Sequence, residues 1–381
     1  MKVVVSGGGT GGHVYPALAV IEVLLSKERR IPLPTVAAGD ILWIGSQGGM
    51  EEDLVQDAAI PFSGLAAGGL RGMKLTVRFR NSLRMARSVG DAQSILRRFR
   101  PDAVFVTGGY ACVPVSLAAW FEGVPVLIYL PDIEPGLAIK LLARLAVRIA
   151  VTSQESCHYL PEDKVVVTGY PVRSEIFQLD KQEARQALHL NPEDRTLLVF
   201  GGSRGARSIN QALVAGLDKL LPICQIIHIS GRLDADWVAD LAGKLSPELR
   251  ARYHHHAFLH DMPQALVAAD LAVARAGAAT MGEFPAAALP SVLVPYPYAG
   301  RHQSSNAEHM ARNGAARVLL DDELAGKLVP TVAQLLGDNS ILARMREASR
   351  AMARPEAAEA IAEQIWRVAR QHAAKQTGVA A

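Results

Sequence analysis

The sequence has few cysteines and no long hydrophobic run. Among its 381 residues are 3 cysteines, Cys112, Cys157 and Cys224, whose wide spacing and odd number fit neither a disulfide framework nor a CxxC metal site. No stretch of about 18 uninterrupted apolar residues occurs, and no apolar signal region precedes the first glycines. The chain is therefore expected in a reducing compartment, and any action at a membrane is expected to be peripheral.

An excess of charge of either sign is also missing. The 40 Lys and Arg residues nearly balance the 37 Asp and Glu residues, which gives a net charge of +3. This balance predicts no nucleic-acid partner, and any basic surface must be local. Hydrophobic residues make up 50% of the chain, enough for two cores of roughly 150 to 200 residues each. Two domains are therefore predicted.

Short apolar or β-branched runs alternate with segments of helical period in both halves. The predicted strands are 3–5, 41–44, 103–106, 124–129, 147–151 and 165–167, then 196–200, 225–229, 271–274 and 291–294. This alternation is typical of parallel α/β sheets. Glycine and proline in 169–173 mark a plausible domain boundary, with a surface helix at 180–190 after it and a frayed tail at 375–381.

The first glycine-rich turn, residues 6–13, reads Ser-Gly-Gly-Gly-Thr-Gly-Gly-His and leads into a helix with Pro16 in its expected first turn. Glycines let the backbone approach a ligand closely, and the following helix N-terminus presents N–H groups to anions. A diphosphate or a developing oxyanion fits such a turn. A dinucleotide site is the alternative, but the acidic ribose ligand expected after the second strand is missing, because that strand ends in Gly45 and Ser46.

Two further glycine turns follow predicted strands. Residues 200–210 add a serine hydroxyl and two guanidinium groups to a Gly-Gly-Ser-Arg-Gly turn, which makes this turn the stronger phosphate candidate, although it lacks the GK[ST] ending of a P-loop. Gly108, Gly109 and Tyr110 follow the strand 103–106 and place an aromatic ring beside flexible backbone. A simple tight turn is the alternative there.

Four motifs, 8–19, 108–110, 201–206 and 277–283, together resemble the MurG family, glycosyltransferase family 28. Its members are the undecaprenyl-diphospho-muramoylpentapeptide N-acetylglucosaminyltransferases of peptidoglycan synthesis. The resemblance spans residue 3 to about 355 and implies an α/β fold of the GT-B type, two Rossmann-like domains with parallel sheets facing across a cleft. Residues 1–168 would bind the acceptor and the membrane, with helix 356–373 packing back onto them, and residues 174–355 would bind UDP-GlcNAc.

The resemblance also implies substrate contacts. Three residues match positions that contact the nucleotide, the last through its backbone beside the uracil: Arg173, Ser203 and Leu259. Glu283 matches the carboxylate that holds the ribose hydroxyls, with a charge partner for a helix N-terminus as the alternative. His302 and Gln303 match the loop that reads the sugar. The other implied contacts are Thr10, Gly11, Gly12, Gly108, Gly109, Tyr110, Ala278, Thr280 and Met281.

Two stretches depart from the family pattern. Residues 129–132 read Tyr-Leu-Pro-Asp where the family has His-Glu-Gln-Asn, and Tyr170 stands where the family has asparagine. The aligned glutamate position therefore lacks a carboxylate, although Asp132 and Glu134 lie nearby. The acceptor side is expected to be altered, so the acceptor is the least fixed part of the inference.

The implied reaction inverts the anomeric centre, because an α-linked UDP-sugar gives a β-linked product. The 4-hydroxyl of the lipid-linked muramoyl-pentapeptide would attack in line, assisted by a base. His13 is the leading candidate, since an imidazole exchanges protons near neutral pH; Asp132 and a carboxylate-supported water are alternatives, and His13 could instead only orient its loop. Ser203, Arg173, backbone N–H groups and a helix dipole would stabilise the leaving diphosphate, so neither metal nor cofactor is predicted.

Two patterns that suggest a metal are rejected. The single DxD, at 234–236, lies in a charged helical stretch, and the consecutive histidines 254–256 would point to opposite faces of a strand.

Residues 70–90 form a local basic patch without an acidic residue. Its six basic side chains are Arg71, Lys74, Arg78, Arg80, Arg84 and Arg87. On a helical projection they flank an apolar face formed by Leu75, Phe79, Leu83 and Ala86, and residues 117–121 with Trp120 extend it. Such a surface is typical of attachment to anionic lipid, here at the cytoplasmic face of the cell membrane. A core-packing helix with a solvated basic face is the alternative.

Three classes of function compete on this reading. The first is the lipid-acceptor glycosyltransferase, or a related GT-B transferase with another acceptor. The second is a UDP-GlcNAc 2-epimerase, which uses the same two-domain fold. The third is a non-catalytic sugar-nucleotide or membrane-recruiting module, disfavoured because both glycine loops and Glu283 occur in one chain.

Overall fold

The chain folds into two compact units, Met1–Arg173 with Glu356–Ala381, and Ser174–Pro355. The computed structural model describes residues 1–28, 31–66, 75–202, 205–297 and 302–377, with the backbone alone for 75–84 and 376–377. We call the two parts unit 1 and unit 2. Each contains one parallel sheet with helices, so the predicted class of two Rossmann-like α/β domains is confirmed.

Unit 1 contains a seven-stranded sheet in the order β3-β2-β1-β4-β5-β6-β7, paired in parallel throughout. Its strands are β1 (Val3–Gly7), β2 (Ile41–Ser46), β3 (Phe62–Leu65), β4 (Ala103–Gly108), β5 (Val126–Leu130), β6 (Arg148–Val151) and β7 (Val165–Val167). The helices between them are α1 (Gly11–Leu25), α2 (Met50–Asp57), α3 (Leu75–Phe99), α4 (Cys112–Phe121) and α5 (Leu137–Leu142). Every residue of β1, β4 and β5 is buried, as expected of parallel strands covered on both faces.

Helix α1 begins earlier than the sequence predicted. Pro16 was expected in its first turn, but the helix starts at Gly11 and contains Pro16 in its interior. Proline has no backbone N–H, so it cannot donate to the carbonyl of Gly12 four residues before it. The Tyr170 hydroxyl donates to that carbonyl oxygen at 3.4 Å. Tyr170 thus supplies a hydrogen bond that the helix backbone lacks at this position.

Unit 2 contains a six-stranded parallel sheet in the order β10-β9-β8-β11-β12-β13. Its strands are β8 (Thr196–Phe200), β9 (Gln225–Ile229), β10 (Tyr253–His256), β11 (Leu271–Arg275), β12 (Ser291–Val294) and β13 (Ala316–Val318). Its helices are α6 (Lys181–Ala187), α7 (Arg207–Val214), α8 (Leu217–Leu220), α9 (Ala235–Ala242), α10 (Pro247–Arg250), α11 (Met262–Ala268), α12 (Glu283–Ala286), α13 (His302–Arg312), α14 (Leu324–Gly337) and α15 (Asn339–Ala351). Helices α7 and α14 share its main apolar core with β8, β9, β11 and β12.

The last helix, α16 (Ala357–Thr377), belongs to unit 1 and packs on α1, β4, β5 and β6. It is longer than the predicted 356–373, so 375–377, expected in a frayed tail, are helical. Ile361, Ala362 and Ile365 are fully buried, which explains why the helical period of this segment is apolar on one face. Within the described ranges, no helix combines the length and apolar character that crossing a bilayer requires.

Asp270 is the centre of a buried ionic cluster that joins four elements of unit 2. Its side chain lies just before β11 and accepts from Lys181 Nζ at 2.6 Å, Arg185 at 2.7 Å and Arg346 at 3.3 Å, and from the Thr196 backbone N–H at 2.9 Å. Burial alone would raise the pKa of this carboxyl group, but Lys181 and the hydrogen bonds outweigh burial and hold the pKa below its ordinary value. The helix predicted on the surface at 180–190 ends at Ala187 and is instead anchored by buried Arg185.

Asp270→Asn should lower the free energy of unfolding by about 3–5 kcal/mol, because it leaves buried cations without their counter-charge. Urea denaturation at neutral pH measures the effect. Since the pKa of Asp270 is depressed in the folded state, its stabilisation is present above the ordinary value of 3.8 and is lost as the pH falls below it. The difference between wild type and variant should therefore shrink in acid.

Glu347→Gln is the matched control, because it removes a carboxylate from an exposed pair with Arg350. That variant should stay within about 0.5 kcal/mol of wild type. Equal stability of the Asp270 and Glu347 variants would contradict the role assigned to the cluster.

Candidate active site

The strand order of unit 1 reverses between β1 and β4, and the loops that follow these two strands are neighbours. Gly7 at the end of β1 pairs with Gly108 at the end of β4. In open α/β sheets, ligands bind at such a switch point, beyond the carboxyl ends of the strands. The structure therefore brings two sets of predicted site residues together, Thr10 to His13 after β1 and Gly108 to Tyr110 after β4.

These two loops pack so closely that side chains are excluded between them. The Gly8 N–H donates to the Gly108 carbonyl at 3.1 Å. Gly109 has a φ of +96°, and a Cβ added there would lie 2.5 Å from the Gly8 carbonyl oxygen. A Cβ on Gly108, whose φ is +123°, would lie 2.8 Å from the His13 ring. Glycine is thus required at 108 and 109 by both backbone conformation and space.

The His13 ring is oriented by its own loop. Its Nδ1 lies 3.0 Å from the Gly8 carbonyl oxygen and 3.3 Å from the Thr10 hydroxyl. A carbonyl oxygen only accepts, so Nδ1 carries the proton in this contact, and Nε2 of the neutral ring has the lone pair. The Thr107 hydroxyl donates to the His13 carbonyl at 2.6 Å and fixes the backbone. The geometry suits a base that takes a proton at Nε2.

The stretch that departs from the family pattern is mostly buried. Tyr129 is fully buried with its hydroxyl 2.8 Å from that of Thr152, and Leu130 is buried beside it. Burial also raises the pKa of Tyr129 well above its ordinary value. Asp132, half-buried after β5, is the partly exposed member. The expected change of the acceptor surface therefore applies to Asp132, whereas Tyr129 and Leu130 change the core.

Arg173 is the last residue of the first segment of unit 1, Met1–Arg173. Its guanidinium carbon lies 5.5 Å from the centre of the Tyr15 ring on α1, within the range of a cation–π contact. Helix α1 begins at Gly11, within the first glycine-rich turn, and contains His13 and Tyr15. Arg173, which was predicted to contact the nucleotide, therefore lies near the helix that contains His13.

In unit 2, the turn after β8 lies beside the turn after β11, and the strand order again reverses between them. Gly205 has a φ of +74°, and a Cβ added there would lie 2.6 Å from the Ser230 carbonyl oxygen. Gly202 also has a positive φ, of +83°. Glycine adopts such a positive φ without strain, and at Gly205 no other residue would fit. The predicted phosphate contact Ser203 lies outside the described residues.

The segment 277–283 follows β11. The side chains of Ala278, Thr280 and Met281 are buried, and the Thr280 hydroxyl donates to the Gly277 carbonyl at 2.7 Å. Substrate contact through these three residues would therefore use their backbone. Glu283 is half-buried and is the first residue of α12.

The other residues predicted to contact the sugar nucleotide follow β10 and β12 in the chain. Leu259 is half-buried in the loop after β10, next to Phe258, which is 42% exposed. His302 and Gln303 were predicted in a loop, but they form the first turn of α13. The Gln303 side-chain carbonyl accepts from the Tyr296 N–H at 2.9 Å. Its NH₂ group is therefore the part of the amide that can serve a ligand.

A buried polar network supports the second glycine turn, and its members were not predicted as site residues. Asn210 on α7 donates to the Ser230 carbonyl at 2.8 Å and to the Asp234 carboxylate at 2.9 Å, and its side-chain oxygen lies 3.0 Å from Nε2 of His228. Nδ1 of His228 contacts the Tyr253 hydroxyl at 2.5 Å. Burial lowers the pKa of His228 to about 3, so its ring is neutral near neutral pH. Asp234, the first aspartate of the DxD pattern, therefore accepts a hydrogen bond inside unit 2.

Glu51 was also missed. It follows β2 by five positions, close to where the sequence lacked an acidic ribose ligand. Its side chain is fully buried and accepts from the Gly9 N–H at 3.2 Å and the Ser46 N–H at 2.9 Å, so it is not exposed to a ribose. In the sequence it reads as one of three acidic residues in the first turn of a helix, an ordinary pattern for a helix N-terminus.

The predicted membrane surface is described only in part. Arg71 and Lys74, and the side chains of 75–84 that carry most of the predicted apolar and basic face, lie outside the described residues. Ala86 and Arg87 are exposed. Trp120 and Phe121 at the end of α4 are 53% and 60% exposed, and Leu137 on α5 is 85% exposed.

Both units match known protein families. The family model for the glycosyltransferase family 28 N-terminal domain matches residues 3–151, and that for the C-terminal domain of the same family matches residues 196–363. The chain is 42% identical to the UDP-N-acetylglucosamine–N-acetylmuramyl-(pentapeptide) pyrophosphoryl-undecaprenol N-acetylglucosamine transferase of Roseiflexus sp. (strain RS-1), over 93% of this chain and 92% of that protein.

Solved structures show the same architecture. The crystal structure of Acinetobacter baumannii MurG aligns with a TM-score of 0.72 at 26% identity, covering 96% of this chain and 100% of that one. The UDP-GlcNAc 2-epimerase of Neisseria meningitidis, bound to UDP-GlcNAc, aligns with a TM-score of 0.68 at 16% identity, covering 96% and 100%. The second likeness concerns the fold alone.

Proposed function

The chain belongs to glycosyltransferase family 28, and on that premise we propose that it transfers N-acetylglucosamine, with inversion, from UDP-GlcNAc to the 4-hydroxyl of undecaprenyl-diphosphate-linked muramoyl-pentapeptide. The reaction is a step of peptidoglycan synthesis. The assignment rests on sequence identities of 42% and 39% to two transferases whose names state this donor and acceptor. Both alignments cover nearly the full length of the chain. Both units take part in that match, so neither the donor half nor the acceptor half of the activity rests on the fold alone.

In the proposed reaction, unit 1 binds the acceptor and supplies the base. The acceptor 4-hydroxyl attacks the anomeric carbon of the sugar, a new C–O bond forms there, and the bond to the UDP oxygen breaks. The acceptor proton passes to Nε2 of His13, the nitrogen left with a lone pair when Nδ1 donates to Gly8. Asp132 is the second candidate for this base. The glycines at 11, 12, 108 and 109, with Thr10 and Tyr110, would shape the acceptor site.

Unit 2 would hold the donor. The Glu283 carboxylate suits two vicinal ribose hydroxyls, the Leu259 backbone would face the uracil, and His302 with the Gln303 NH₂ group would contact the sugar hydroxyls. Backbone groups of 278–281 complete this set. Ser203, nearby N–H groups and Arg173 would stabilise the negative charge that develops on the leaving diphosphate, so the proposal includes neither a metal nor a cofactor.

Acceptor-dependent release of UDP tests the function. With UDP-GlcNAc and the lipid-linked muramoyl-pentapeptide, the enzyme should form a disaccharide product and one UDP for each transfer. UDP-GlcNAc alone should give neither UDP nor an epimerised sugar. Formation of the 2-epimer without acceptor would contradict the transferase assignment and would identify the protein as an epimerase with the same fold. Transfer only to a simpler lipid would assign a related transferase with another acceptor.

His13→Ala should lower turnover at least about a hundredfold, because it removes the proposed base. Its affinity for UDP should remain close to that of wild type, since the proposed donor contacts belong mainly to unit 2. Steady-state kinetics and UDP titration measure the two effects. His158→Ala, an exposed histidine of the same unit, is the control and should keep wild-type turnover. A His13 variant with near-normal turnover would assign the base elsewhere.

We further propose that unit 1 attaches peripherally to an anionic membrane surface, the cytoplasmic face of the cell membrane. Exposed Leu137 and Leu141 on α5 lie beside exposed Lys140 and Arg144, which combines apolar and basic groups as interfacial helices do. The rings of exposed Trp120 and its neighbour Phe121 lie 5.0 Å apart. The basic stretch 71–87 supplies further positive charge in the sequence, consistent with anionic lipid.

Trp120→Ala should weaken co-sedimentation with phosphatidylglycerol-containing vesicles roughly tenfold, because it removes an apolar anchor. Charge reversal at Arg80 and Arg84 should also weaken binding, and raised salt should reduce that contribution. The control is Leu233→Ala, since Leu233 is 84% exposed but belongs to unit 2. Equal vesicle binding by wild type and the Trp120 variant would rule out this surface as the anchor.

A further inference from the structure

Glu51 places a buried acidic group directly beneath the first glycine loop. Its side chain is fully buried in the first turn of α2. One oxygen accepts from the Gly9 N–H at 3.2 Å and the other from the Ser46 N–H at 2.9 Å. A buried carboxylate needs such hydrogen bonds to offset its desolvation. The two carboxylate oxygens of Glu51 therefore join the loop after β1 to the end of β2.

Three glycines surround the Glu51 side chain and leave space for it. A Cβ on Gly49 would lie 2.6 Å from an oxygen of Glu51, and a Cβ on Gly45 would lie 3.0 Å from its Cγ. A Cβ on Gly8 would overlap the carboxylate itself. Any side chain at these three positions would displace Glu51 or the loop above it. Gly8 of the first loop, with Gly45 and Gly49 at the end of β2 and after it, therefore leaves room for the Glu51 side chain.

The hydrogen bonds of Glu51 and His13 meet on a single peptide group. Glu51 accepts from the N–H of Gly9, and Nδ1 of His13 donates to the carbonyl of Gly8 at 3.0 Å. These two backbone groups belong to one planar amide. Fixing the N–H therefore fixes the direction of the carbonyl, and a negative charge at the N–H strengthens the carbonyl as an acceptor.

The two residues that flank this amide have no side chain that would resist its rotation. The amide lies between two glycines, and Gly9 has a φ of +80° with no atom within 4 Å of an added Cβ. Glycine residues adopt several backbone conformations at low cost. A rotated amide would present an N–H in place of the carbonyl, and His13 would lose the acceptor that keeps the proton on Nδ1.

We propose that Glu51 is a positioning residue for His13 and acts through the peptide group between Gly8 and Gly9. The carboxylate holds the Gly8 carbonyl toward Nδ1, so that Nε2 keeps its lone pair for the acceptor proton. The same alignment stabilises the imidazolium that forms when Nε2 takes that proton. This inference rests on the proposed function, because it assigns Glu51 to the base of that reaction.

Glu51→Gln tests the proposal with little change of shape. The glutamine side chain has one acceptor oxygen and an NH₂ group, which would face one of the two N–H donors. We expect kcat for acceptor-dependent transfer to fall about 10- to 100-fold, as misplacement of a catalytic group does. The KM for UDP-GlcNAc should stay within about threefold of wild type. The ¹⁵N NMR signals of the His13 ring should shift away from those of an Nδ1–H tautomer.

Glu52→Gln is the matched control. Glu52 lies on the same helix and also accepts a loop N–H, that of Gly48 at 2.9 Å, which belongs to the loop after β2 and not to the first glycine loop. It should keep wild-type kcat and the wild-type His13 signals. Normal kcat in the Glu51 variant, or a loss of kcat with unchanged His13 signals, would overturn the positioning role.

The ring signals of wild-type His13 keep the proposal testable if the Glu51 variant does not fold. A proton on Nδ1 supports the proposal, and a proton on Nε2 alone overturns it. This measurement needs no substrate. Absence of acceptor-dependent transfer by the wild type would therefore refute the proposed function, while the tautomer of His13 would still decide the role of Glu51.

Discussion

The contact on which the rest of unit 1 depends is the close packing of two glycine loops at the carboxyl ends of β1 and β4. Parallel pairing of these strands ends at Gly7 and Gly108, and beyond it backbone lies directly against backbone. The His13 ring lies over Gly108 because no side chain intervenes. The position of the proposed base thus follows from the packing of these loops at the ends of the strands, and its Nδ1 contact is made to a backbone carbonyl, that of Gly8.

In unit 2, the buried ionic cluster and the residues predicted to contact the donor lie at opposite ends of the strands. Asp270 and Thr196 lie at the amino ends of the central strands, where the ionic cluster joins α6, β8, β11 and α15. The glycine turn at 201–205 and Glu283 lie beyond the carboxyl ends of the same strands. The ionic cluster therefore lies at the edge of the sheet opposite to the one at which ligands bind in open α/β folds.

Sequence patterns predicted the strands and turns whose own residues form a strong local pattern. Short apolar or β-branched runs predicted ten strands, and the predicted glycine turns follow the strands at both switch points. Strand β3 was missed because Phe62–Leu65 contains a serine and a glycine and has no β-branched residue. Glu51 was missed because its partners, Gly9 and Ser46, are backbone groups that any sequence possesses. Only the folded sheet brings those groups to one carboxylate.

The two departures from the family pattern form one packing unit. Tyr170 supplies a hydroxyl to the Gly12 carbonyl, which Pro16 leaves without its helical donor. The Tyr129 ring packs edge to face on Tyr170, with the ring centres 6.2 Å apart. Because these rings contact each other inside unit 1, the two substitutions are coupled by packing and together support the start of α1. Within the other departing stretch, 129–132, Asp132 alone is partly exposed.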